Sequence, residues 1–231
     1  MSEQRLVLGC VTGTVCFLGC VAFAIAHYPG GTWTDPSAPG HSFALNYLCD
    51  LMQTRALNGQ EATLGSKVAR FGTVSMFAAL AAFFALVARF ESPITRAGRV
   101  AQRAGLIACL VGCTVPFAPS DRFREAHLAT VLSAFVPALV ATIAALIVCK
   151  RAPVSRWLRA MAAITVVAGA TDGVAYAIAY AIAYGYLGVA RTVPALNLAL
   201  PVLQRAATVC LIAWVLAVCA QSWRLRKRTH D

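Results

Sequence analysis

Six apolar runs, broken mainly by small or weakly polar residues, alternate with short polar connectors along the chain. Taken as crossings of about 20 residues, they predict membrane-spanning helices at about 6–26, 64–88, 104–117, 123–148, 157–187 and 196–220. The predicted fold is all-α: a polytopic membrane protein, a six-transmembrane-helix bundle forming a single membrane domain over residues 1–231. The first run carries Gly9, Gly13 and Gly19, the small-residue content of a closely packed membrane helix. It is longer than the apolar region of a typical signal peptide, so it is expected to remain as a helix.

Between the first two runs the pattern changes. Residues 28–40 are rich in proline and glycine (Pro29-Gly30-Gly31, Asp35-Pro36, Pro39-Gly40) and have no helical period. The next stretch is apolar but too short to cross a bilayer. As a helix over about 42–53 it places Asn46, Asp50 and Gln53 at i, i+4 and i+7, one polar stripe on an otherwise greasy surface. A short interfacial helix in the first outer loop is therefore expected.

Charge adds the topology. The chain is 59% hydrophobic and 13% charged, whereas a soluble domain is nearer about 25% charged. Its net charge of +11 is not spread evenly. Arg5, the cluster Arg89, Arg96, Arg99 and Arg103, the cluster Lys150, Arg151, Arg156 and Arg159, and the tail Arg224, Arg226, Lys227 and Arg228 fall on one side. The other side has Arg55, Lys67, Arg70, Arg122, Arg124 and Arg191, with nearly all the remaining acids. The bias is that of a positive-inside protein with both termini cytoplasmic, not of a nucleic-acid binder. Eight of the nine cysteines lie in or at the ends of apolar runs, where cysteine behaves as a small hydrophobe. The ninth, Cys49, has no evident partner, and there is no CxxC pair.

Ionisable groups in the runs are the candidates for chemistry, because each costs on the order of 3 kcal/mol at the bilayer centre. Arg205, with Gln204 beside it, lies about 13 Å below the surface at 1.5 Å per residue. Its candidate counter-ions are Asp50, Asp121 and Asp172, with Asp50 or Asp172 the expected partner. Arg70 either snorkels to the interface with Lys67 or joins the same cluster. Asp121 is a plausible N-cap for the fourth helix, and His127 sits in that helix's first turns, with Asp121 and Glu125 near in sequence. A carboxylate beside the imidazole would hold one tautomer and raise its basicity. On the fifth run Asp172, Tyr176, Tyr180 and Tyr184 recur every four residues, either as packed aromatics or as a path. No HExxH pattern and no GxSxG elbow is present, so a metal signal is weak and a serine nucleophile has no support.

These residues carry a resemblance. The chain resembles the bacterial and archaeal six-span family called domain of unknown function 998, itself distantly similar to GPI-anchor-remodelling and autophagy-modulator membrane proteins. After the first outer loop that family tends to show Asn, two residues, then Ser-Asp-Leu-Gly, and here Asn46-Tyr47-Leu48-Cys49-Asp50-Leu51-Met52 stands in that place, with Cys49 for the serine and Met52 for the glycine. A Pro, an Asp and a His follow the third run (Pro116 or Pro119, Asp121, His127), and a Gln-Arg pair stands in the last (Gln204-Arg205). The resemblance implies the fold and an outer polar cluster, and implies no established activity. The expected location is a cell (inner) membrane, multi-pass.

Two functions are in view. In the first, the outer polar cluster binds a lipid headgroup or other anionic lipid-linked substrate, with membrane lipids as partners, and a lipid-modifying hydrolase or transferase would use Asp50, Asp121 and His127 as its acid–base residues. Asn46, Arg70, Gln204 and Arg205 would bind substrate, the arginines holding a phosphate through their planar forks. In the second, the bundle is a non-catalytic lipid-binding, transport or regulatory protein whose buried charges are structural.

Overall fold

The computed structural model describes residues 2–183 and 194–227. They form six α-helices: α1 (Glu3–Ala26), α2 (Thr63–Val87), α3 (Arg96–Gly112), α4 (Arg124–Arg151), α5 (Arg156–Ala183) and α6 (Pro194–Lys227). All six are long and apolar enough to cross a membrane, α3 together with the 3-10 turn Val115–Phe117 that extends it. Large apolar side chains cover the outside of the bundle, among them Leu8, Val15, Phe71, Leu110, Val136 and Val167. An apolar exterior around a packed interior is the arrangement that lipid requires, and the protein is an integral, multi-pass membrane protein.

Consecutive helices pack as antiparallel hairpins, α1 on α2, α3 on α4 and α5 on α6, while α2 also contacts α3, α4 and α6. The densest core lies toward the end of the bundle that holds the N-terminus and the two basic connections. There Phe83 of α2 meets Trp214 of α6 edge-on at 4.9 Å, among Leu86, Val87, Val148, Val215 and Val218, all fully buried. Of the three glycines expected to pack closely in α1, Gly13 makes the tight contact. A Cβ there would lie 2.6 Å from the Ser75 carbonyl oxygen and 2.8 Å from Ala79 Cβ, whereas one at Gly19 would meet nothing within 4 Å. Gly13→Val is therefore expected to lower stability by about 1–3 kcal/mol, and Gly19→Val to leave it unchanged, in thermal melts of the detergent-solubilised protein.

Helix boundaries depart from the apolar runs where charge can reach water. The third helix begins at Arg96, not near residue 104, because Thr95 Oγ1 caps it by accepting from Gly98 N at 3.3 Å. Arg96, Arg99 and Arg103 then ride on the helix, their long stems carrying charge toward the surface. The expected tail of the fifth helix beyond Ala183, with Tyr184, lies outside the described residues, as does Arg191.

At the opposite end, here the loop end, residues 27–62 fold over the helices. The expected helix over 42–53 is replaced by a turn at 42–46 and a 3-10 turn, Leu48–Met52. The cause is local. Asn46 Oδ1 accepts from Ser42 N at 2.9 Å and Asp50 Oδ2 accepts from Tyr47 N at 2.7 Å. These side chains take up the backbone donors that a continuous helix needs.

Candidate functional site

The 3-10 turn is held to the bundle through its backbone. On α2, Arg70 Nε and Nη2 donate to the Met52 carbonyl at 3.0 and 2.8 Å, and Ser66 Oγ reaches the same oxygen at 3.3 Å. On α6, Gln204 Oε1 accepts from Leu48 N at 2.7 Å. Both open ends of the turn are thus satisfied by membrane helices. The neighbouring Arg205 Nη2 donates to the Asn46 carbonyl at 3.0 Å and lies 3.5 Å from His41 Nε2, with the guanidinium 5.0 Å from the Phe43 ring centre.

Two fully buried side chains brace the loop from within. Asp50, 1% exposed, accepts from Tyr47 N, from Trp33 Nε1 at 3.0 Å and from Gln53 Nε2 at 3.1 Å. Asn46, 0% exposed, donates from Nδ2 to the Gly31 carbonyl at 3.0 Å. Gln53 ties this loop to the 113–123 connection through Ser120 Oγ at 3.0 Å.

Several expected pairings resolve differently. Arg205 contacts neither Asp50 nor Asp172. A backbone carbonyl is its partner, although its charge still reaches Asp50. Arg70 turns to the loop and caps the 3-10 turn, within reach of the Asp121 charge but without an ion pair among the described residues. Asp121 does not cap α4, whose N-cap is Phe123 without a side-chain bond. Its Oδ2 instead accepts from Thr54 N at 3.0 Å, from Arg55 N at 3.2 Å and from the Thr54 hydroxyl.

Burial sets the electrostatics of the loop. It pushes the Asp50 carboxyl up to about 6, against the hydrogen bonds from Tyr47, Trp33 and Asn46 and the charge of Arg205. It pushes His41 down to about 4, with Arg205 acting in the same direction, so His41 is neutral at pH 7. The Cys49 thiol is pushed up to about 12 by burial and then by Asp50, which leaves it a poor nucleophile.

These two shifts oppose each other in stability. With Asp50 raised from 3.8 to about 6, its contribution is present below about pH 4 and lost as pH rises through 6. With His41 depressed from 6.5 to about 4, its contribution is present above about pH 6.5 and lost as pH falls toward 4. The two groups therefore act on the pH dependence of the melting temperature in opposite directions. Relative to the wild type, His41→Gln should lose melting temperature as pH rises from about 4 to 6, and Asp50→Asn should gain it. Melts of the three proteins at matched ionic strength check the opposite slopes.

Beneath the loop lies a chamber of about 470 Å³. Trp33, Tyr47 and Tyr176 form an aromatic wall, with Trp33 and Tyr47 6.2 Å apart and Tyr47 and Tyr176 6.4 Å apart, both edge-on. Asp50, Gln53, Ser120 and His127 supply polar lining, and Arg55, Asp121 and Arg124 also border it. The structure thus brings Asp50, Asp121 and His127 to one chamber. It leaves Asn46, Arg70, Gln204 and Arg205 outside the lining, holding the loop in place.

His127 is 2% exposed. Its Nδ1 lies 2.8 Å from the Ala118 carbonyl, which can only accept, so Nδ1 carries the proton. A backbone carbonyl therefore sets the tautomer, in place of the expected Asp121 or Glu125 carboxylate. The other nitrogen, Nε2, is buried, holds a lone pair and has no hydrogen-bond partner among the described residues. Trp33 and Tyr47 were not singled out from the sequence. Their signal is weak: an aromatic with a polar tip in a Pro/Gly loop, whose N–H or O–H needs a partner when buried.

Among the described residues no three His, Cys, Asp or Glu side chains come together as a metal centre would need. No family model, curated protein or solved structure matches the chain, so the family resemblance rests on the quoted motifs alone.

Proposed function

We propose that this membrane protein binds, in its loop-end chamber, the headgroup of a membrane lipid or of another anionic lipid-linked substrate. The observation that carries the reading is that His127, whose buried Nε2 has no hydrogen-bond partner among the described residues, lines a 470 Å³ chamber. A buried acceptor without a donor costs about 1–3 kcal/mol, and a headgroup hydroxyl or ammonium entering the chamber would supply the donor. Arg55 and Arg124 at its border suit a phosphate, the role first given to Arg70 and Arg205. The aromatic wall suits a ligand that arrives from the bilayer boundary. The concentration of arginine at the opposite end supports a loop end that faces outward, with both termini cytoplasmic.

The imidazole also favours a second, catalytic reading. A neutral histidine in a chamber lining, its Nδ1–H fixed by a carbonyl and its Nε2 without a partner among the described residues, is in the form a general base takes. In a hydrolase or transferase of this design His127 moves the proton. Asp50 and Asp121, whose oxygens already accept several bonds, hold the loop that covers it.

Native mass spectrometry after exchange into mild detergent tests the binding reading. The chain should retain an anionic or zwitterionic lipid, and Arg55→Glu with Arg124→Glu should retain less of it. A folded protein that keeps no lipid would exclude the reading. Product release from liposomes of total lipid extract, dependent on His127, separates the catalytic reading from simple binding.

A further inference from the structure

A second cavity, of about 370 Å³ and partly open, lies between the helices under the 3-10 turn. All six helices contribute to its walls, and Leu48, Cys49 and Met52 of the 3-10 turn roof it. Its walls are almost wholly apolar, with the rings of Phe17, Phe77, Phe84 and Phe135 among them. The threonines that line it are already satisfied. Thr73 donates to Ala69 O, Thr142 to Ala138 O, Thr165 to Met161 O and Thr208 to Gln204 O. Gln204 is engaged with Leu48 N and with Cys49.

One lining group stands apart. Asp172 of α5 is the charged side chain of this cavity, and among the described residues no group donates a hydrogen bond to its carboxylate. Among the described residues no lysine or arginine borders the cavity, and Arg205, next to Gln204, is turned to the loop. A carboxylate at membrane depth is costly unless it is paired.

We propose that this cavity binds a lipophilic cation, a quaternary ammonium or phosphonium bearing apolar groups, with Asp172 as its counter-ion. Phenylalanine faces attract such a cation as well as burying its substituents. The cavity volume falls in the range of about 300–1,000 Å³ that buries a drug-sized ligand. The carboxylate of this site, Asp172, does not line the headgroup chamber, although Cys49 of the 3-10 turn borders both.

Equilibrium binding of tetraphenylphosphonium to the full-length protein in detergent tests this. The wild type should bind it saturably. Asp172→Asn, which keeps the shape and removes the charge, should raise Kd by about thirtyfold or more. A Cβ at Gly169, which lines the same cavity, meets nothing within 4 Å. Gly169→Leu should therefore fill the cavity and abolish binding while Asp172 stays in place, and His127→Asn should bind like the wild type. Equal affinity of the wild type and Asp172→Asn, absence of saturable binding in the wild type, or full binding by folded Gly169→Leu would each overturn the proposal. Should Gly169→Leu fail to fold, Asp172→Glu decides: it should bind, and its failure alongside Asp172→Asn would assign the loss to structure and not charge.

Discussion

Replacing Asp50 with alanine will release the 27–62 segment from the bundle while the six helices stay assembled. The carboxylate accepts from Tyr47 N, Trp33 Nε1 and Gln53 Nε2, and alanine accepts from none of them. Gln53 keeps its second bond to Ser120, but the other two donors are orphaned. Each orphaned donor that stays buried costs about 1–3 kcal/mol. The loop can escape that cost by opening to water. The helices cannot follow, because their contacts with one another do not pass through Asp50. Hydrogen exchange at residues 46–53 should accelerate strongly, with the helix cores near Phe83 and Trp214 unchanged. Cys49, now half-buried under the loop, should become alkylated much faster. Asp50→Asn should do less, since one amide oxygen can still accept. Unchanged exchange at Tyr47 and Leu48 in Asp50→Ala would show that the carboxylate does not hold the turn.

Replacing His127 with asparagine will remove the ligand and keep the fold. Asparagine Nδ2 takes the position of the imidazole Nδ1 and can still donate to the Ala118 carbonyl, now 2.8 Å from Nδ1. What disappears is Nε2, which has no hydrogen-bond partner among the described residues. Stability should change by less than about 1 kcal/mol. Retention of the bound lipid should fall by about ten- to a hundredfold, the value of one hydrogen bond to a charged donor. The reverse exchange, His127→Gln, places a polar atom near Nε2 and abandons Ala118. It should cost more stability and less binding. If both variants lose stability equally and neither loses lipid, His127 is a packing residue.

The helices were legible because an apolar run long enough to cross a bilayer has few other fates. The loop was partly legible. A polar stripe in a greasy segment singled out Asn46, Asp50 and Gln53, and all three are buried and bonded. Their partners could not be seen, because side chains were matched with side chains. Arg205 was matched with carboxylates, yet it binds the carbonyl of Asn46, and Arg70 binds that of Met52. An irregular segment at a membrane boundary exposes backbone groups that water reaches poorly, so polar side chains on the helices are drawn to backbone first. The same blindness hid Ala118 as the partner of His127. The helical reading of 42–53 failed because period alone does not show that Asn46 and Asp50 turn back on their own chain. Trp33 has no periodic neighbours at all, and its place in the chamber wall depends on the fold of the whole loop.

The most direct test is photo-crosslinking with a phospholipid that carries a diazirine in its headgroup, followed by peptide mapping of the labelled protein. Labels should concentrate on the chamber lining, at Trp33, Tyr47, Tyr176 and His127, and should fall in His127→Asn. Labels confined to lipid-facing positions such as Leu8, Val15 and Phe71, and equal in the two proteins, would contradict headgroup binding in the chamber.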